Sequence, residues 1–128
     1  MRDGFVKVAA ATLNTKVADV EHNKWEIFRL IDETIENGAK IVVFPELCIT
    51  GYTCGDLFSQ DILLSQSAKA LEEIAAYTTG KDGLFFVGLP YVVCNKLYNV
   101  AAAVCDGEVI GMVTKTFLPN YSEFYEMR

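Results

Sequence analysis

No apolar run in the sequence approaches the ~20 residues that a membrane-spanning helix needs, so no helical span is expected. Basic residues are scarce: eleven Lys and Arg stand against seventeen Asp and Glu, for a net charge of −6 and a pI of about 4.7. Without a basic stripe there is no electrostatic footprint for nucleic acid, and anionic membrane surfaces are poor partners. The four cysteines, Cys48, Cys54, Cys94 and Cys105, never fall at Cys-x-x-Cys spacing. That excludes the common zinc and redox patterns and leaves small, buried apolar residues in a reducing, cytoplasmic compartment as the expectation. No metal site is expected. Neither Gly-x-Gly-x-x-Gly nor a P-loop occurs, so no nucleotide cradle is expected within these residues. The one histidine, His22, reads as a solvated helix residue. Repeats, linkers and low-complexity tracts are absent. The opening "MRDGFVKVAAATLN" has too short an apolar stretch for a secretory signal and reads as a first strand.

What is present is globular. The 128 residues are 52% hydrophobic and 22% charged, one domain's worth of chain able to bury a real core. Phe5 to Leu13 suits a buried strand. Asp19 has the character of a helix N-cap, and Val20, Ile27, Leu30, Ile31 and Ile35 follow at helical spacing to an Asn37-Gly38 stop. Ile41 to Phe44 is a second strand, so the start reads as a βαβ unit with parallel strands. Leu57 to Thr79 predicts a second helix. The grammar then changes: Leu84–Val93, Lys96–Cys105 and Glu108–Lys115 are strand-like runs divided by Cys94-Asn95 and Asp106-Gly107. Asp-Gly between apolar runs is a type I′ hairpin signal, so an antiparallel meander follows the βαβ start. The closing "TKTFLPNYSEFYEMR" reads as neither strand nor helix.

Two charged residues stand where chemistry is usually placed. Glu46 follows the apolar strand Ile41–Phe44 directly, and Lys115 ends the third run of the meander. Residues at strand ends are held by a rigid scaffold at the rim of a sheet. A carboxylate there can take a proton from a nucleophile, while an ammonium stabilises a developing oxyanion. The plainer reading, a surface ion pair, is the commoner one for two such residues. The apolar neighbours of Glu46 (Val42, Val43, Phe44, Leu47, Ile49) weigh against simple solvation, and the aromatic loop after Lys115 can wall a small polar site.

The strings that carry these residues are specific. "FPELCITGY", followed by "DLF", and "KTFLPNYSEFYE" closely resemble the glutamine amidotransferase domains of the glutamine-dependent NAD synthetases, a branch of the nitrilase, or carbon–nitrogen hydrolase, superfamily. The resemblance runs from Val6 to Arg128. It implies an α-β-β-α sandwich, of which residues 1–128 are the N-terminal part of the glutaminase domain and supply the first half. It also implies a Glu-Lys-Cys triad: Glu46 as general base, Lys115 as oxyanion partner, and Glu123 as a second glutamate beside them. Tyr52, Tyr121 and Glu126 match positions that line the glutamine pocket. The implied reaction is hydrolysis of the glutamine amide, with the ammonia passed to a C-terminal synthetase domain that amidates nicotinic acid adenine dinucleotide. The parent enzyme would use ATP and Mg; no cofactor is implied within this chain. Homo-oligomers are expected of the parent.

The family nucleophile is a cysteine beyond the lysine, past Arg128, and none of the four cysteines here matches it. The 128 residues are therefore expected to be inactive alone, because amide cleavage through a covalent intermediate needs its thiolate. Two rivals stand beside this reading: another nitrilase-superfamily amidase with a different substrate, and a non-catalytic scaffold fragment.

Overall fold

The computed structural model describes residues 3–118 and the backbone of residues 120–121 and 124–125. Two crossover steps build its first half. Strand β1 (Val8–Ala10) leads to helix α1 (Val20–Glu36) and strand β2 (Ile41–Val43); a 3₁₀ turn (Gly55–Ser59) and helix α2 (Asp61–Tyr77) then lead to strand β3 (Leu84–Val93). Strands β1, β2 and β3 are parallel neighbours, as crossover helices require. Strands β4 (Lys96–Cys105) and β5 (Glu108–Thr114) add antiparallel, completing a five-stranded sheet in the order β1-β2-β3-β4-β5. Positive φ at Cys94, Asn95, Asp106 and Gly107 gives both hairpin turns the type I′ shape that the Asp-Gly pair predicts.

The helices begin and end where their sequences dictate. Asp19 Oδ1 accepts the His22 backbone N–H at 3.0 Å, and Gly38, at φ +88°, ends α1 in the left-handed region. Ile27, Leu30 and Ile31 of α1 and Leu63, Leu71 and Ile74 of α2 are buried. They share a core with Val42, Phe85, Val87, Leu89, Val100 and Val104 on one face of the sheet. Burial of each such side chain contributes about 1.5–3 kcal/mol. Lys24 is also buried, and its Nζ bridges Glu21 at 2.8 Å and Glu73 at 2.6 Å, tying α1 to α2.

The opposite face carries no helix among the described residues. Val8, Val43 and Val113 stand 62%, 49% and 69% exposed there. The sheet is thus one layer of helices on one layer of strands.

Four expectations need correction. The first strand is three residues long, not nine, because the ladder with β2 pairs Val8–Ala10 with Ile41–Val43 and ends there. The second helix does not start at Leu57: a 3₁₀ turn precedes it, and α2 starts at Asp61. His22 is not simply solvated, since its Nε2 lies 2.8 Å from the Asn14 carbonyl oxygen. The closing segment, read as irregular, contains a small hairpin of β6 (Asn120–Tyr121) and β7 (Phe124–Tyr125). Among the described residues no helix is long and apolar enough to cross a membrane.

Candidate active site

The segment after β2 explains the oddity of a strand running into an acid. Phe44 N–H still donates to the Phe86 carbonyl at 2.9 Å, continuing the ladder. Pro45 then cannot donate, and the chain leaves the sheet. Leu47 adopts φ +52°, a region costly for a branched side chain, and the strain sits directly beside Glu46. The chain returns at once: Ile49 N–H donates to the Gly88 carbonyl at 3.2 Å, and Gly51 N–H to the Leu47 carbonyl at 2.7 Å. Leu47, Cys48, Ile49 and Thr50 are all buried, which is why so apolar a segment follows an acidic residue. From α1, the fully buried Asn23 donates to the Ile49 carbonyl at 2.9 Å and pins this return from behind.

Gly88 is the floor of this turn. A Cβ there would lie 2.5 Å from Leu47 N and 2.8 Å from the Pro45 carbonyl oxygen. Only a residue without a side chain lets the backbone around Glu46 rest on β3.

Lys115 reaches the same place by a register shift. Strands β4 and β5 pair Cys105 with Glu108 and Val104 with Val109, then slip by one, so that Ala103 faces Gly111 and Val100 faces Thr114. The extra residue of this bulge is Ile110. Continued from the slipped register, Lys115 lies opposite Asn99, and its N–H donates to the Asn99 carbonyl at 2.8 Å. Without the slip, Lys115 would lie opposite Tyr98, on the other face of the sheet.

The result is a compact polar cluster. Lys115 Nζ donates to Glu46 Oε1 at 2.8 Å, and Asn99 Nδ2 donates to the same oxygen at 2.6 Å. Glu46 and Lys115 come from the ends of β2 and β5, 69 residues apart in sequence. Their side chains remain 39% and 33% exposed, so the pair faces a cleft, not the buried setting that the apolar neighbours of Glu46 suggest. A concavity of about 310 Å³ runs past it, walled by Val43, Phe86, Gly88, Ala101 and Val113. A smaller one of about 80 Å³ opens on the other side of Lys115 and Asn99, lined by Leu47, Phe58, Pro90, Tyr98 and Leu118. A fixed carboxylate touching a fixed ammonium beside an apolar recess can abstract a proton and stabilise an oxyanion.

The remaining candidates from the sequence fare differently. Tyr52 is half-buried and packs against the core; it lines neither concavity. Of Tyr121 only the backbone is described, in β6. Glu123 and Glu126 lie outside the described residues. Asn99 and Gly88 were not singled out from the sequence. Both left a signal: an Asn and a Gly inside otherwise apolar strands are ill-suited to a sheet unless something uses them.

The cysteines are placed away from this chemistry. Burial pushes the Cys48 thiol up to about 12, only partly offset by its hydrogen bond to the Gly88 carbonyl. Cys54 is buried with its sulfur against the Thr50 and Gly51 carbonyls. Cys94, against the expectation of burial, is exposed at the β3–β4 turn because the turn itself projects from the sheet. Cys105 ends β4 six residues from Asn99, roughly 20 Å along the strand at ~3.3 Å per residue. Among the described residues no three His, Cys, Asp or Glu side chains cluster as metal ligands.

Residues 7–126 match the profile of the carbon–nitrogen hydrolase family. The chain belongs to that family. It is 43% identical over 124 residues to the glutamine-dependent NAD(+) synthetase of Aquifex aeolicus, covering 97% of this chain and 22% of the relative. The crystal structure of a glutamine-dependent NAD(+) synthetase from Cytophaga hutchinsonii superposes with a TM-score of 0.88 at 35% identity, over 94% of this chain and 20% of that one. An amidase from Nesterenkonia sp. shares the fold, with a TM-score of 0.76 at 20% identity, over 97% of this chain and 47% of that one. Against the two synthetases this carbon–nitrogen hydrolase chain therefore spans about a fifth of the relative's length. The first half of a nitrilase-like fold, a βαβ start and an antiparallel meander, is what these likenesses and the topology agree on.

Proposed function

We propose that this chain is the glutaminase portion of a glutamine-dependent NAD synthetase. The observation that carries the reading is the contact of Lys115 Nζ with Glu46 Oε1 at 2.8 Å, made by residues that lie far apart in sequence and meet at one rim of the sheet. In this reading Glu46 takes the proton of a cysteine thiol contributed by chain beyond Arg128. The sulfur attacks the amide carbon of glutamine, and the Lys115 ammonium faces the oxyanion that forms. The amide nitrogen leaves as ammonia, taking the proton that Glu46 received. Water then cleaves the thioester and releases glutamate. In this reading Glu123 serves as the second glutamate, and Tyr121 and Glu126 serve as substrate contacts. The ammonia serves a synthetase domain elsewhere in the longer protein, where ATP and Mg do their work. The bare face of the sheet, with Val8, Val43 and Val113, is covered by the second half of the sandwich.

A substrate panel on the longer chain tests this. Ammonia release from glutamine is expected to exceed release from asparagine, acetamide or a simple nitrile at equal concentration by well over tenfold. Preference for a nitrile or a small amide would assign the site to another branch of the family.

A further inference from the structure

We propose that Asn99 is a positioning residue that fixes which oxygen of Glu46 acts as the base. The inference rests on the glutaminase reading above and adds a residue to it. Asn99 touches both charged partners. Its carbonyl accepts the Lys115 backbone N–H at 2.8 Å, and its Nδ2 donates to Glu46 Oε1 at 2.6 Å. A carboxylate only accepts, so the amide nitrogen and not its oxygen must face Glu46. Lys115 Nζ donates to that same Oε1 at 2.8 Å. Two donors on one oxygen stop the carboxylate from rotating. Oε2 accepts no hydrogen bond among the described residues and is left as the oxygen available to a thiol proton.

The ladder explains why this residue is an asparagine. Asn99 sits on β4 opposite Pro90 of β3, and the slipped register brings Lys115 opposite it on β5. Its side chain therefore leaves the sheet on the face where Gly88 lets the Glu46 turn descend. An apolar residue at this position would fill the space and leave Glu46 held by Lys115 alone. A flexible Lys115 stem with a second option of Oε2 would then let the base and the oxyanion partner exchange oxygens.

The test uses the longer chain that carries this segment. For Asn99→Ala, kcat for glutamine hydrolysis is expected to fall roughly 10- to 100-fold, the penalty typical of a misplaced catalytic group, with KM within about threefold of the wild type. Synthesis driven by free ammonia is expected to be unchanged. The isosteric Asn99→Asp, which cannot donate when ionised, is expected to lose as much; it decides the matter if the alanine variant fails to fold, as judged by the ammonia-driven rate. An unchanged kcat, or a loss confined to KM, would overturn the proposal and make Asn99 a substrate contact or a bystander. Glu46→Gln in the same assay separates the two layers. If it abolishes glutamine hydrolysis while the Asn99 variants do not, only the positioning role fails. If Glu46→Gln hydrolyses glutamine normally, the glutaminase reading itself falls.

Discussion

At the scale of single residues, the site depends on one glycine and on which cysteines are inert. A Cβ at Gly88 would meet the backbone on both sides of Glu46, at 2.5 Å and 2.8 Å. Backbone cannot rotate away as a side chain can, so Gly88→Ala is expected to cost about 1–3 kcal/mol, the usual penalty of overpacking. Denaturant titration measures that cost, and the glutamine-driven rate of the longer chain should fall further than the stability loss explains. The cysteines separate by exposure. With its thiol near 12 and its side chain buried, Cys48 carries almost no thiolate at neutral pH, while Cys94 is open to solvent. Iodoacetamide under native conditions is expected to label Cys94 and spare Cys48 and Cys54, as peptide mass mapping would show. Rapid labelling of Cys48 would contradict its placement.

At the scale of elements, the first two strands of the meander were legible to the residue, and the third, read as Glu108–Lys115, to within one. Leu84–Val93 and Lys96–Cys105 stand where alternation and the turn residues put them, because a two-residue type I′ turn leaves no freedom in register. The 3₁₀ turn before α2 was not legible, since Leu57 and Phe58 satisfy the same apolar spacing whether the turn is α or 3₁₀. Nor was the bulge at Ile110: a one-residue slip leaves no periodic mark in a strand as short as Glu108–Thr114. Yet that slip puts Lys115 on the face of Glu46. Inserting one residue after Gly111 should shift the end of β5 by one place, put Lys115 opposite Tyr98 on the other face and remove glutamine turnover, with the hairpin still formed by amide hydrogen exchange. Retained turnover would contradict the dependence of the site on this register.

At the scale of the whole molecule, the sequence singled out two charged residues that the sheet does bring into contact. The apolar neighbours of Glu46 suggested burial of the pair. Val42, Phe44, Leu47 and Ile49 instead fill the core beneath it, Val43 lies on the open face, and the carboxylate itself is 39% exposed to the cleft. What spacing could not supply was the meeting of β2 and β5 across two intervening strands, which only the complete sheet creates. Its helix side is a closed core; its other side offers valines and the Glu46–Lys115 pair to whatever packs there.

The most direct test compares two nitrogen sources in the longer chain carrying Glu46→Gln. The account predicts that glutamine-driven synthesis of NAD falls by at least the ~10²-fold expected for loss of a general base, while synthesis from free ammonia keeps its wild-type rate. Equal loss of both rates would contradict a localised glutaminase site, and an unchanged glutamine-driven rate would remove Glu46 from the chemistry altogether.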